Sequence, residues 1–429
     1  MIKLVLRTSV ASMALSAAGA FAQTSAPVEW GNFRGPNHDG TIPALKKVSN
    51  WKQARFSKRW KKDTPNGFSS FAVAGAKAYT IVSGEEDGNT VELLVCMDVK
   101  NGKELWKAPL TVITKYDGGG DAGAGDNKGG DGPRSTPVVS GGKVYAIDAN
   151  LGVYCFDAAT GKSVWKRDVM KDNAGVQIKW QNAASPLIEG DVLLMCGGGS
   201  GQALLGLNKD SGEVIWKSED DKMTHATPII ATLHGVKQCI FFTQKGLVSV
   251  APANGKVLWR QDYKFAVSTA ASPVVWEDIV YCSAGYGVGA GAFKIAKSGD
   301  SFTSEPIWRK EGDELANHWS TPVVKDGFLY GMFSFKKYGE GPLACVDIRT
   351  GDVKWSEAGF GPGQVILTGD TIVAVSDQGE IVAAQATPEK YTELKRDDVL
   401  DGKVWGYPVL AYDHIFVRST KEGVCLEVK

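Results

Sequence analysis

The sequence has no excess of charge of either sign and no long amphipathic helical pattern. Lysine and arginine together number 48, as do aspartate and glutamate, so the formal net charge of the 429-residue chain is zero. This balance argues against a nucleic-acid groove or an anionic membrane as the main binding partner. The chain instead contains 51 glycines and many short Val, Ile and Tyr runs broken by turns. These features predict an all-β protein.

Motifs of the common catalytic centres are missing as well. The sequence contains no HExxH motif, no nucleophile elbow and no closely spaced set of cysteines and histidines. The Gly-rich run of residues 197–202 is typical of a turn. We therefore expect no resident metal ion, and the residues alone assign no catalytic group.

The first 22 residues have the features of a signal peptide. Lys3 and Arg7 precede an apolar stretch over residues 10–19, and Ala20-Phe21-Ala22 has the small-x-small pattern of a cleavage site. The apolar stretch is interrupted by serines and is shorter than the roughly 20 residues that a membrane span needs. We predict cleavage near Ala22 and a periplasmic or extracellular protein. No cysteine precedes Cys96, so we expect no lipid anchor.

Two short motifs recur from residue 51 to the end of the chain. One is a hairpin whose second strand carries a tryptophan, as in CFDAATGKSVW at residues 155–165; the other is a strand pair that begins with Ser/Thr-Pro, as in STPVV at residues 135–139. The hairpins end at Trp106, Trp165, Trp216, Trp259, Trp308, Trp355 and, in a degenerate copy, Leu394. The strand pairs are centred near Phe71, Pro137, Pro186, Pro228, Pro273, Pro322, Val365 and Pro408.

Eight copies of this unit predict an eight-bladed β-propeller of four-stranded antiparallel blades. The last copy ends at Lys429 before it reaches its tryptophan strand, whereas an isolated strand near Trp60 lacks a preceding hairpin. We predict that this N-terminal strand pairs with residues 423–428 and closes the ring. The expected organisation is a signal peptide at 1–22, a leader at 23–50 and the propeller at 51–429, with a Gly/Asp-rich loop at 114–134.

Four of the seven cysteines occupy the same position of the repeat. Ten residues before the tryptophan, where it is present, the chain has Cys96, Cys155, Cys345 and Cys425. The same position is occupied elsewhere by Gly206, Ser249 and Ala384. A position that accepts only small side chains is crowded, so we interpret these cysteines as buried packing residues rather than as metal ligands or redox groups.

The repeat unit of residues 155–165, seen again as CVDIRTGDVKW at residues 345–355, resembles the tryptophan-docking repeat of quinoprotein dehydrogenases. That family repeat also occurs in non-catalytic proteins with pyrroloquinoline-quinone (PQQ) repeats, including the barrel-assembly lipoprotein of the outer membrane. The leader WGNFRGPNHDG at residues 30–40 is similar to the start of exported PQQ-repeat propellers of unassigned role. The resemblance implies a propeller over the whole mature chain, and it allows either a binding module or an oxidoreductase.

The resemblance also implies what a PQQ-dependent enzyme would need. Dehydrogenases of this fold share an adjacent Cys-Cys disulfide against the quinone, a stacking tryptophan and acidic or amide ligands for calcium. This sequence has no Cys-Cys pair, and their calcium ligands cannot be matched to it. The irregular spacing of Asp117, Asp121, Asp126 and Asp131 favours a solvated loop over a calcium site. We expect no cofactor, with PQQ and calcium as the alternative.

Superposing the repeats identifies one set of positions at a mouth of the central channel, three residues before each proline. They are Phe68, Arg134, Ala183, His225, Ala270, Trp319, Pro362 and Trp405, with Asn182, Thr269, His318 and Tyr407 beside them. Small residues satisfy the fold at this position, so convergent aromatic and polar groups there are typical of a ligand pocket. The predicted site consists of Phe68, Arg134, Asn182, His225, His318, Trp319, Trp405 and Tyr407. A structural plug of the channel is the alternative.

The leading hypothesis is an exported, monomeric binding or assembly module that holds a protein partner or a small molecule at this mouth. The alternative is a PQQ-dependent dehydrogenase-like oxidoreductase with the quinone at the same place.

Overall fold

The computed structural model describes residues 28–45, 47–48, 50–113, 132–265, 268–333 and 335–429. The predicted signal peptide and residues 114–131 of the predicted Gly/Asp-rich loop lie outside this part of the chain. The regular secondary structure of the described residues consists of strands, apart from a 3-10 turn at Trp51–Gln53 and a helical turn at Val169–Asp172. No helix among them has the length and apolar character needed to cross a membrane.

The strands form eight four-stranded antiparallel sheets, as the repeats predict, and we number these blades in chain order with the innermost strand first. Blade 1 consists of Ala72–Ala74, Lys77–Glu86, Asn89–Asp98 and Glu104–Val112, and blade 2 of Val138–Ser140, Lys143–Ile147, Gly152–Asp157 and Ser163–Asp168. Blade 3 consists of Leu187–Glu189, Val192–Cys196, Leu204–Asn208 and Val214–Ser218, and blade 4 of Ile229–Leu233, Val236–Phe242, Gly246–Val250 and Val257–Asp262. Blade 5 consists of Val274–Trp276, Ile279–Ala284, Gly289–Ser298 and Ser301–Lys310, and blade 6 of Val323–Lys325, Phe328–Met332, Leu343–Asp347 and Val353–Glu357. Blade 7 consists of Gln364–Thr368, Thr371–Val375, Glu380–Gln385 and Glu393–Asp398, and blade 8 of Val409–Ala411, His414–Arg418, Glu422–Val428 and Phe56–Asp63.

The ring closes as predicted, with an outer strand from the opposite terminus. Phe56–Asp63 pairs antiparallel with Glu422–Val428, and Trp60 lies opposite Cys425. Beyond the last ladder pair, the Arg55 N–H donates to the Lys429 carbonyl at 2.8 Å. The inner strand of blade 1 contacts the inner strand of blade 8, so the first and last blades are neighbours. Pairing removes an edge strand that would otherwise be exposed on blade 8.

The repeated tryptophans join each blade to the next. The Trp60 indole N–H donates to the Val99 carbonyl of blade 1 at 2.8 Å, and Trp216 donates to the Pro252 carbonyl of blade 4 at the same distance. Equivalent bonds to the following blade are made by Trp106, Trp165, Trp308 and Trp355. Trp259 is the exception, since it donates to the Gln238 side chain of its own blade at 2.7 Å. These residues therefore have a structural role between blades.

The small residues opposite the tryptophans are explained by the same packing. Cys155 pairs with Trp165 across the ladder, Cys345 pairs with Trp355, and Gly206 pairs with Trp216. A Cβ atom on Gly206 would collide with the Trp216 ring. All seven cysteines are buried and none forms a disulfide. The structure thus agrees with the interpretation of the cysteines as packing residues.

A circle of hydrogen bonds explains the Ser/Thr-Pro signature. The Ser70 N–H of blade 1 donates to the Thr136 hydroxyl of blade 2 at 3.0 Å, and the Thr136 N–H donates to the Ser185 hydroxyl of blade 3 at 2.9 Å. Blade 7 has no hydroxyl at this position. The Thr321 N–H of blade 6 instead donates to the hydroxyl of Tyr407 in blade 8, at 2.6 Å. The Tyr407 N–H donates to the Ser70 hydroxyl of blade 1 at 2.7 Å, which completes the circle. These hydroxyls satisfy backbone donors that are buried between blades.

The leader lies inside the ring rather than beside it. Trp30 exchanges two backbone hydrogen bonds of 2.8 Å with Val73 of blade 1, and the Gly31 carbonyl accepts the Val139 N–H of blade 2. Thr41–Ile42 then adds a fifth, parallel strand to blade 7. Because the inner strands of several blades contact this segment, residues 28–45 fill one end of the central channel.

The leader also carries a buried arginine whose side chain binds backbone carbonyls. The Arg34 guanidinium is 2% exposed and donates to the carbonyls of Thr321 at 2.8 Å and Pro322 at 2.9 Å. It lies 5.5 Å from the centre of the Tyr407 ring, which also packs edge-on against Phe33. The sequence analysis separated residues 23–50 from the propeller, whereas the structure makes residues 28–45 part of its core.

Candidate functional site

Five of the eight predicted site residues belong to one continuous series of rings at the mouth of the channel. Successive ring centroids in this series lie 4.8 to 6.3 Å apart. We call the series the channel-mouth arc, and its members in order are Phe68, Trp405, Trp319, His318, Tyr286, Trp180 and His225. Five of these residues were predicted; Trp180 and Tyr286 were not.

The repeat itself brings the predicted members of the arc together. Phe68, His225, Trp319 and Trp405 occupy equivalent positions just before the inner strands of blades 1, 4, 6 and 8. Inner strands surround the channel in a propeller, so residues at the same point of each repeat meet at one end of it. The leader fills the other end, because Glu29 accepts the Gly75 N–H at the far end of the first inner strand.

Arg134, the sixth predicted residue, lies beside the arc. Its guanidinium donates to the Trp180 carbonyl at 3.0 Å, and its positive charge acts on the His225 ring. The backbone next to it meets the other end of the arc, since the Phe68 N–H donates to the Pro133 carbonyl at 2.7 Å. Arg134 therefore connects the two ends of the arc around the mouth.

Asn182 and Tyr407 have other positions. Asn182 is 2% exposed, and its side chain bonds only to backbone groups, with the Ala184 N–H donating to its Oδ1 at 3.0 Å. Tyr407 lies deeper in the channel, where its hydroxyl belongs to the circle of bonds between blades and its ring contacts the leader. In this structure neither side chain faces the mouth with the arc.

The two histidines of the arc are held in their neutral form. Burial lowers the pKa of His225 to about 4, and the nearby Arg134 charge acts in the same direction. Burial likewise lowers the pKa of His318 to about 3, with further contributions from His225 and Lys336. Since both rings are neutral near pH 7, the positive charge of the mouth comes from arginine and lysine side chains.

The arc has a closed half and an open half. The closed half lies on the side of blades 6, 8 and 1. There Trp405 is stacked on Phe68 and packs against Trp319, so the three rings are in direct contact. On the side of blades 3 to 5, Trp180 and Tyr286 line an open pocket of about 660 Å³. Tight packing of rings, as a plug would show, and an open cavity, as a binding site would show, therefore occur in different halves of the same mouth.

The open half is built from loops that sequence reasoning did not identify. Trp180 lies in the segment between blades 2 and 3, and Tyr286 and Lys336 lie in connections within blades 5 and 6. All three have left-handed backbone conformations, with φ values of 71, 61 and 57°, which are unfavourable for residues other than glycine. Such strain clusters at functional sites. Connections differ in length from one repeat to the next, so superposing the repeats does not align these three residues.

Two buried polar atoms near the mouth have no hydrogen-bond partner among the described residues. They are Oε1 of Gln177 and Nε1 of Trp405. The amide nitrogen of Gln177 donates to the Ala149 carbonyl at 2.8 Å. The His225 ring bonds to the Ser268 hydroxyl at 2.7 Å and also interacts with the backbone of Lys179 and Gln181. Buried polar atoms are normally paired, so unpaired ones beside a pocket point to a polar ligand.

The residues of the mouth do not fit calcium-bound PQQ. In the part of the chain that the structure describes, no three His, Cys, Asp or Glu side chains come together to hold a metal ion. The cysteines lie singly in separate strands, so no disulfide faces the mouth. Asp117, Asp121, Asp126 and Asp131 lie outside the described residues.

Comparison with known proteins identifies the repeat. A family model described as outer membrane protein assembly factor BamB matches residues 90–332 and 304–390. The protein of that name from Shewanella oneidensis is 25% identical over 272 residues, which cover 61% of this chain and 66% of that protein. The one from Salmonella typhimurium is 24% identical over 297 residues, covering 67% of this chain and 71% of that protein. The chain spans about two thirds of the length of these relatives.

Solved structures share the fold. The crystal structure of BamB from Moraxella catarrhalis matches with a TM-score of 0.58 and 13% identity, covering 87% of this chain and 100% of that chain. Quinohemoprotein alcohol dehydrogenase from Comamonas testosteroni matches with a TM-score of 0.63 and 12% identity, covering 93% of this chain and 80% of that chain. Binding proteins and enzymes share this fold, so only the site separates them. The matched repeats and the eight blades built from them show that the chain belongs to the PQQ-repeat β-propeller family described as outer membrane protein assembly factor BamB.

Proposed function

We propose that the chain is an exported protein-binding module that assists the assembly of outer-membrane proteins, and that the open half of the channel-mouth arc contacts the partner. The observation that carries this proposal is the group of partly exposed aromatic rings around a pocket at the mouth opposite the leader. Aromatic side chains supply much of the binding energy at protein interfaces. The proposal places a monomer in the periplasm after cleavage near Ala22, in keeping with the name of its relatives.

The probe for this proposal is an outer-membrane β-barrel protein, unfolded in urea, labelled and diluted into buffer with the propeller. We expect the double substitution Trp180→Ser and Tyr286→Ser to weaken binding at least tenfold, because each ring supplies contact area at the pocket. Fluorescence anisotropy gives the Kd, and circular dichroism checks that the blades remain folded.

A matched control replaces two apolar residues of similar exposure far from the mouth. Leu105 and Ile215 lie on outer strands with exposures of 45% and 46%, and Leu105→Ser with Ile215→Ser should leave the Kd within twofold. Failure of the wild-type chain to bind the unfolded barrel protein, or equal loss in both double variants, would rule out the arc as the binding surface.

We further propose that the module acts without a quinone, since the mouth lacks a calcium ligand set among its described residues. Incubating the purified protein with PQQ and calcium should leave its absorbance spectrum equal to the sum of its parts. A red-shifted bound chromophore together with alcohol-dependent reduction of a dye would instead establish the oxidoreductase alternative.

A further inference from the structure

The pocket in the open half of the arc has charge of one sign only. Among the described residues, its charged lining side chains are Lys179, Lys222 and Lys336, and none of the lining side chains is acidic. All three lysines are exposed to solvent. In a chain whose formal net charge is zero, this is a local concentration of positive charge at a concave site. We call the three side chains with the surface between them the lysine pocket.

The lysines of this pocket differ from other lysines on the same blades. Lys143, Lys209 and Lys237 each form an ion pair of 2.6 Å with an acidic side chain. Within the described chain, no ion pair is formed by Lys179, Lys222 or Lys336. Asp221, which precedes Lys222 in the chain, accepts the backbone N–H groups of Lys222 at 2.6 Å and Lys245 at 3.2 Å. These bonds hold its carboxylate against the backbone.

Aromatic rings hold two of the ammonium groups in place. Lys179 Nζ lies 5.0 Å from the centre of the Trp180 ring, and Lys336 Nζ lies 4.5 Å from the centre of the Tyr286 ring. Such cation–π contacts fix the position of the charge without neutralising it. A ligand with carboxylates beside apolar groups would meet an ammonium and an aromatic face at the same time.

The neutral groups of the pocket favour a polypeptide over a simple anion. Gln177 lines the pocket, and its buried Oε1 accepts no hydrogen bond from any residue that the structure describes. Phosphate and carboxylate ions would present further acceptors to it, whereas a peptide backbone presents an N–H donor. A pocket of about 660 Å³ is within the range of concave sites that enclose ligands of this size.

We propose that the lysine pocket recognises an acidic segment of the partner protein, in which aspartate or glutamate residues alternate with aromatic ones. The inference rests on the proposed function and names the chemistry of the partner segment. The lysines attract and orient the carboxylates, Trp180 and Tyr286 receive the rings, and Gln177 accepts a backbone N–H. Electrostatic complementarity of this kind speeds association and selects the partner.

The probes are two labelled synthetic peptides of equal length with blocked termini. One alternates Asp and Glu with Phe and Tyr, and the other has Asn and Gln in place of the acids. We expect the wild-type chain to bind the acidic peptide at least tenfold more tightly, with a preference that shrinks as salt is added. Charge reversal by Lys179→Glu, Lys222→Glu and Lys336→Glu should abolish this preference.

The control reverses three exposed lysines outside the pocket with Lys162→Glu, Lys217→Glu and Lys256→Glu, so that net charge changes equally. Equal binding of the two peptides, equal losses in both triple variants, or tighter binding to vesicles of phosphatidylglycerol than to the acidic peptide would each overturn the inference. If the unfolded barrel protein still needs Trp180 and Tyr286 while the acidic preference is missing, the proposed function stands and this inference falls. If the acidic peptide binds as expected but the barrel protein does not, the proposed function falls instead.

Discussion

Replacing Trp216 with alanine is expected to lower the free energy of unfolding by about 3–5 kcal/mol. The ring is 7% exposed and packs between blades 3 and 4. Its indole N–H donates to the Pro252 carbonyl at 2.8 Å, and Gly255 of the next blade packs against its face. The substitution would leave both a cavity and a buried carbonyl without its donor, and these two costs add.

Equilibrium unfolding in urea, followed by circular dichroism, measures this loss. The control is Ile215→Ala at the preceding position, where the side chain is 46% exposed and a change within about 0.5 kcal/mol is expected. A loss below about 1 kcal/mol for Trp216→Ala would contradict the docking role inferred from the repeat.

A chain that begins at residue 65 is expected to lose cooperative folding altogether. This truncation removes Phe56–Asp63, the outer strand of blade 8, together with the Trp60 contact to blade 1. It leaves Glu422–Val428 as an unpaired edge with buried apolar side chains newly exposed. Such edges promote aggregation, and an open ring loses the contact between its first and last blades.

Two longer chains separate ring closure from the leader. A chain beginning at residue 28 keeps every described contact and should unfold like the full-length protein. A chain beginning at residue 47 lacks only the leader, so it should remain cooperative with a lower Tm. Thermal melts and size-exclusion chromatography distinguish the three. If the chain that begins at residue 65 were monomeric with an unchanged Tm, the strand near Trp60 would be dispensable.

The contents of the two ends of the channel constrain how the molecule works. Residues 28–45 occupy one end through backbone bonds to the inner strands, and Arg34 contacts Tyr407 from that side. At the other end Phe68, Trp405 and Trp319 pack on one another. The channel is thus a filled core rather than a passage. We therefore expect the proposed binding to take place on the rim, around the pocket lined by Trp180 and Tyr286, where these rings are partly exposed and the three lysines are exposed.

The features predicted best from sequence were those written into every repeat. Three features recur because every blade packs in the same way: the tryptophan, its small partner ten residues earlier and the Ser/Thr-Pro signature. For this reason the predicted number of blades, eight, and the predicted ring closure through Trp60 were both correct. The same logic placed Phe68, His225, Trp319 and Trp405 at one mouth. Local patterns report local structure, and repetition around an axis converts them into a ring.

Tertiary structure alone decided what occurs once per molecule. Trp180, Tyr286 and the three pocket lysines are brought together by connections of unequal length from different blades, and no spacing in the sequence relates them. Arg34 lies more than 280 residues from Thr321, whose carbonyl it binds, so its burial follows from the leader entering the channel. Asn182 and Tyr407 lie beside the repeat position of the mouth, yet their side chains bond to backbone groups. The sequence alone determined the repeating blades, because the strands and turns of each blade depend on residues that are close together in the chain. The pocket depended on how eight blades converge, which only the closed ring defines.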